Sequence, residues 1–323
     1  MKVEVVRAGF LTSVQDLGRG GYRANGVSPG GALDATALRV ANLLVGNKEA
    51  AAGLEAALGQ LRLRFGDDRL VAWCGGDFEV VAASVPLPAG RSVLLRVGDE
   101  LRATAPERGA RGWFAISGGI DVPLVLGSRS TDLRSGFGGL EGRTLRDGDA
   151  LPLGAMTSPI ERVISRIADW SAPGQWAKTA PLHPYLRVVR GADAALFTDG
   201  AQRLLMQTAF SVTGAADRMG VRLEGATFAR SGDEELLSEP VVPGTIQVPP
   251  DGKPIVLLGD CQTIGGYPKI AHVITVDLPA AAQLRPGDIV RFAEVSVADA
   301  RRLYAERERD LAWFRAGVAL RTR

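Results

Sequence analysis

Apolar and polar positions alternate along this chain in short stretches broken by glycine and proline, which predicts a mainly β protein. Lys2-Val3-Glu4-Val5-Val6 alternates as a strand does, and Leu61, Leu63 and Phe65 alternate with arginines. Further strands are expected at 70–74, 79–82 and 92–97, and a second β unit runs from Tyr185 to about Val295. The stretch 9–22 reads instead as a polar, glycine-rich loop. Helical spacing is scarcer. Leu33, Ala37, Val40, Ala41 and Leu44 share one face and stop at Gly46, after which Asn47 reads as a cap for a short following helix. Residues 199–206 form a second helical pattern behind Thr198, and a third starts near Val297 behind Ser296. Ser158-Pro159-Ile160-Glu161 carries the cap, proline and glutamate of another helix start.

Three Gly-Asp turns feed apolar strands, at Gly98-Asp99, Gly148-Asp149 and Gly287-Asp288. Their presence in both halves suggests two related barrels. A length of 323 residues favours two domains, divided here as 1–170, a linker at 171–184, and 185–323.

Two apolar strands, at 255–258 and 271–276, hold between them the polar loop Gly259-Asp260-Cys261-Gln262-Thr263-Ile264-Gly265-Gly266-Tyr267-Pro268-Lys269. Strands gripping a polar loop are a common way to fix reacting groups in place. Lys269, beside Gly265 and Gly266, either meets an oxyanion or phosphate or is a solvated lysine. Asp260 either orients a substrate N–H or closes an Asx-turn. Gln262 and Thr263 can read an amide edge or bond within their own loop. Tyr267 offers a phenol or only a packed ring. Arg218 and Arg222 flank Met219-Gly220, and their forks suit a carboxylate, a phosphate, or a salt bridge to Glu224 or Glu239. Gln15 and Asp16 are further candidates, with turn stabilisation as the alternative, and Asp34 reads as a helix-start residue.

Composition narrows the classes. A net charge of +2, without a basic block interleaved with aromatics, argues against nucleic acid. No 18-residue apolar run is present, so no membrane span is expected, and the charged N-terminus does not read as a signal peptide. Cys74 and Cys261 fit reduced thiols in a cytoplasmic protein, and two histidines are too few for a histidine-rich metal site.

Several stretches together carry a resemblance: VQDLGRGGYRANGVSPGGALD (14–34), ANLLVGN (41–47), DRMGVRLEG (217–225), SEPVVPGTIQVPPDGKPIVLLGD (238–260) and QTIGGYPKIAHVITVDLPAAAQLRPGDIVRF (262–292). In order and nearly end to end, they resemble the biotin-dependent carboxyltransferase-like family, also called allophanate hydrolase subunit 2-like, whose best-defined members are the C-type subunits of 5-oxoprolinase. The resemblance implies two cyclophilin-like β-barrels with a few peripheral helices. It also implies ATP-dependent opening of 5-oxoproline to glutamate with B-type and A-type partner subunits. Other members imply carboxyl transfer from carboxybiotin to a urea-like amide, and a non-catalytic scaffold is a third reading. On the first reading Lys269 and Arg218 stabilise charge and Asp260 joins them at the chemistry. Gln262, Thr263, Gln15, Asp16, Arg222, Gly265, Gly266 and Tyr267 surround the small amide substrate. The chain has neither a P-loop pattern nor the Ala-Met-Lys-Met of biotin carriers, so biotin would arrive on another protein.

Overall fold

A computed structural model of the chain describes residues 1–156, 170–181, 184–232 and 236–322. The chain divides into two compact units, one of residues 1–20, 30–180 and 310–323, the other of 21–29 and 181–309. The helix start expected at Ser158 lies outside the described residues.

In the first unit one sheet has six strands, ordered Ala150–Pro152, Lys2–Arg7, Leu61–Phe65, Glu100–Ala103, Val80–Ala82 and Val85–Pro86. A second has five: Leu11–Gln15, Gly53–Ala57, Arg111–Ile116, Arg69–Gly75 and Ser92–Leu95. Both contribute to one core, in which Val3, Val5, Leu63, Phe65 and Leu101 meet Leu54, Val71, Trp73 and Phe114. The six-stranded sheet alternates as its sequence predicts, with Arg62, Arg64 and Arg102 paired to Glu100 on the other face. Strands Arg69–Gly75 and Arg111–Ile116 are buried at every position, because helix Ala35–Leu44 covers the side of that sheet away from the core.

The stretch read as a loop at 9–22 contains the strand Leu11–Gln15, which pairs with Gly53–Ala57 from Leu11↔Ala57 to Gln15↔Gly53. Its Thr12, Ser13 and Gln15 are buried and bonded internally, so polarity there does not mark a surface. Asn47 caps no helix. Its amide donates to Asn42 Oδ1 and the Ile116 carbonyl, and its oxygen accepts from Gly118 N–H. The other helix starts behave as capping chemistry requires: Asp34, Thr198 and Ser296 accept from the N–H groups of Ala37, Ala201 and Asp299.

The second unit is built on a closed barrel with strand order Tyr185–Arg190, Lys269–Val273, Thr245–Gln247, Ile255–Leu257, Gly220–Glu224, Phe210–Ala216 and Ile289–Glu294. Across its wall Val221, Val256, Ile246 and Ala271 are in register and almost fully buried, forming the inward row. A two-stranded ribbon, Glu239–Pro240 with Ile264–Gly265, stands apart from the ring. The strand expected at 271–276 runs instead over Lys269–Val273, since Thr275–Asp277 turns into helix Leu278–Ala282 with a proline in its first turn.

All three Gly-Asp turns adopt one geometry. Glycines 98, 148 and 287 have φ of 85°, 89° and 91°, and each following aspartate accepts from the N–H of the arginine three residues earlier. The shared turn recurs in both units, and the fold is mainly β with few helices.

Both thiols are buried. Burial pushes the Cys261 thiol up to about 11 and raises that of Cys74 as well. Native protein treated with iodoacetamide at neutral pH should therefore keep both thiols unmodified, with both alkylated after denaturation. Modification of native protein on the minutes timescale would contradict the burial.

Candidate functional site

Side chains alternate across a strand, so the residues between the inward positions form an outward row. Register aligns Arg222 with Ile255 and Ile255 with Gln247 on three adjacent strands. These residues, with Gly220, Leu257, Met219, Gln262 and Tyr267, line a cleft of about 490 Å³. That volume falls within the range of small-molecule sites.

Three of the residues expected at a site, Arg222, Gln262 and Tyr267, meet in this cleft. Gln247 is a residue the sequence reading misses. It is 1% exposed, ends a three-residue strand, and joins its amide to Gln262 at 3.1 Å and to the Tyr267 carbonyl at 3.2 Å. An amide among apolar neighbours just before Val248-Pro249 is the signal that could have found it. Gly265 makes room for this pair, since a Cβ there would lie 2.8 Å from Gln247 Nε2 and 3.3 Å from Gln262 Nε2. Gly266 faces only ordinary contacts, 3.4 Å to Ser238 Oγ. Gly265→Ala should therefore displace the amide pair with about 1 kcal/mol or less of lost stability, while ligand affinity falls roughly tenfold. Gly266→Ala should change neither. Denaturant melts and ligand titrations check both, and equal behaviour of the two variants would contradict the packing.

The charged candidates are placed differently. Arg218 and Asp260, both under 10% exposed, form a two-pronged ion pair at 2.8 and 3.0 Å. Asp260 N–H also donates to the Arg218 carbonyl. Among the described residues Glu224 and Glu239, the carboxylates expected for this arginine, pair instead with Lys253 and Lys269. The Lys269 ammonium is 2.9 Å from both Asp193 and Glu239, and its backbone N–H donates to Asp193. Burial works to lower its pKa, but the hydrogen bonds to Asp193 and Glu239 outweigh it and hold the ammonium above the ordinary lysine value. Lys269 is therefore neither a solvated lysine nor a bare cation waiting for an oxyanion. Because Glu239 sits on the two-stranded ribbon opposite Gly265, the lysine fastens that ribbon to the barrel wall. Thr263 is buried, and its carbonyl accepts from Val241 N–H. Ser28 Oγ donates to the Gly259 carbonyl at the start of the polar loop, and Arg23 to the carbonyl of Val241 beside the ribbon strand Glu239–Pro240.

Gln15 and Asp16 belong to the first unit. Gln15 donates to Ser13 and the Thr131 carbonyl. Asp16 accepts from Ser128 and Ser130 hydroxyls and from the N–H groups of Gly18 and Arg129. With four donors converging on it, Asp16 holds the 128–130 segment against the strand end.

Comparison with known proteins agrees with this architecture. The family model "Carboxyltransferase domain, subdomain A and B" matches residues 25–294. The chain is 39% identical to the C-type 5-oxoprolinase subunit of Escherichia coli (strain K12), covering 96% of this chain and 98% of that protein. It is 35% identical to the corresponding 5-oxoprolinase subunit of Haemophilus influenzae, covering 95% of each. The crystal structure of K. lactis urea amidolyase superposes with a TM-score of 0.88 at 28% identity over 96% of this chain, which spans only 20% of that larger protein. Sheets, barrel and sequence thus point the same way, and the chain belongs to the carboxyltransferase subdomain A and B family.

Proposed function

We propose that this chain is the C-type subunit of an ATP-dependent 5-oxoprolinase, acting with B-type and A-type partner subunits to open 5-oxoproline to glutamate. The observation that carries the reading is the near end-to-end match to the C-type subunit of E. coli. A lactam carbonyl is a poor electrophile because the ring nitrogen donates into it. In the proposed reaction the lactam oxygen takes the γ-phosphoryl group as the bond to ADP breaks. Water adds at the activated carbon, and the C–N bond breaks with a proton passing to nitrogen. A second water hydrolyses the resulting acyl phosphate to glutamate and phosphate. In this reading the cleft takes the small amide. Among the described lining residues Arg222 is the one cation and Asp217 is also present, whereas a triphosphate needs several converging donors. Support for ATP binding here is therefore weaker than for the amide, and the reading puts ATP on a partner subunit or on another surface.

A second reading, carboxyl transfer from carboxybiotin on a separate carrier to a urea-like amide, is supported by the similarity to urea amidolyase. One reconstitution separates the two. With its partner subunits, the chain should support ATP-dependent glutamate formation from 5-oxoproline that stops when the chain is omitted. Undiminished turnover without it would overturn the proposal, and biotin-dependent bicarbonate fixation into an amide would favour the second reading.

A further inference from the structure

We infer that the barrel cleft is a binding site for a small lactam or amide that carries a carboxylate, with the carboxylate on Arg222 and the ligand N–H on Gln262 Oε1. The assignment rests on the proposed 5-oxoprolinase reading for the identity of the ligand, but its polarity comes from the hydrogen bonds. The Tyr267 carbonyl can only accept, so the Gln247 atom 3.2 Å from it is the amide nitrogen. That turns Gln247 Oε1 to Gln262, which presents its own nitrogen at 3.1 Å. No described residue donates to Gln262 Oε1, so beside the second N–H of its amide this end offers an acceptor that can take a donor such as a lactam N–H.

The other end selects an anion. Arg222 lines the cleft and forms no ion pair among the described residues, unlike Arg218 at the preceding turn. The nearby Asp217 is turned to the backbone, its Oδ1 accepting from Met219 and Gly220 N–H. Arg222 and Gln247 are separated by the Ile255 strand, a gap of about 10 Å between backbones at ordinary strand spacing. Long side chains from both sides can close on a ligand whose carboxylate and N–H are a few atoms apart. Ile255 and Leu257 supply an apolar floor for its methylenes. Urea, which has no carboxylate, would leave Arg222 without a partner.

The test is an NMR titration of the full chain, and of the assembled complex, with 5-oxoproline and with pyrrolidin-2-one, the same lactam lacking the carboxylate. Arg222→Ala should weaken 5-oxoproline by ~10–100-fold and pyrrolidin-2-one by less than ~3-fold, with partial recovery in Arg222→Lys. Gln262→Ala should weaken both, and N-methyl-5-oxoproline should bind wild type no better than it binds Gln262→Ala. Equal losses for both lactams in Arg222→Ala, or no saturable binding of 5-oxoproline to chain or complex, would overturn the inference. Turnover of 5-oxoproline without this pattern overturns the inference and leaves the functional reading standing. The pattern without turnover supports the inference and counts against the reading.

Discussion

Arg218→Ala should lower folding stability by about 3–5 kcal/mol, the largest single effect expected in this chain. Arg218 is 4% exposed and donates from Nε and one Nη to Asp260, which is itself buried at the start of the polar loop. Truncation takes the two-pronged Arg218 pairing away from a carboxylate in a low-dielectric site, and that loss exceeds the worth of the pair itself. The pair also welds two turns, since Leu258 N–H donates to the Met219 carbonyl and Asp260 N–H to that of Arg218. Met219 and Gly220 line the cleft, so loosening that weld should weaken ligand binding as well. Adding Asp260→Ala should recover part of the loss, because the buried carboxylate is then gone. Urea denaturation of the two variants and the double variant provides the check, and a loss under about 1 kcal/mol for Arg218→Ala would show that the pair is solvated.

Lys269→Met should cost about 2–3 kcal/mol, below the range for a fully buried pair because Glu239 remains 58% exposed. Methionine replaces the stem but not the charge that holds Asp193 and Glu239 together. The sign of the pH dependence follows from the raised lysine pKa. The native state holds the proton more tightly than the unfolded chain, so the contribution is fully present below the ordinary lysine value of 10.5 and lost as pH rises through the raised native value. Wild type should therefore lose more stability than Lys269→Met across that alkaline window. Parallel pH profiles for the two proteins would contradict the ion triad.

Much of the fold is legible in the sequence because its signals are local. Alternation marks Lys2–Arg7 and Leu61–Phe65, and caps mark the helices at Thr198 and Ser296. The strand Leu11–Gln15 escapes because buried hydroxyls and an amide imitate a surface loop. The site is legible only in outline. A polar loop between core strands marks the place, and Arg222, Gln262 and Tyr267 reach the cleft from it or beside it. Which charges are spent within the protein is a different matter, since Asp260 finds Arg218 across 42 residues and Lys269 finds Asp193 across 76. Those pairings are set by barrel register, which no local pattern reveals. Gln247 differs, since an amide among apolar neighbours marks it locally, but the Gln262 and Tyr267 partners that give it a role come from register.

The proposed division of labour between clamping charges and a ligand-reading amide pair is tested most directly by turnover of 5-oxoproline in the assembled complex carrying Lys269→Met, at a temperature where the variant is fully folded. If Lys269 fastens the ribbon that positions Gly265 and the amide pair, KM should rise several-fold while kcat stays within about threefold of wild type. A folded, fully assembled complex whose kcat falls by about a thousandfold or more with KM unchanged would place the ammonium at the reacting carbonyl and contradict the account.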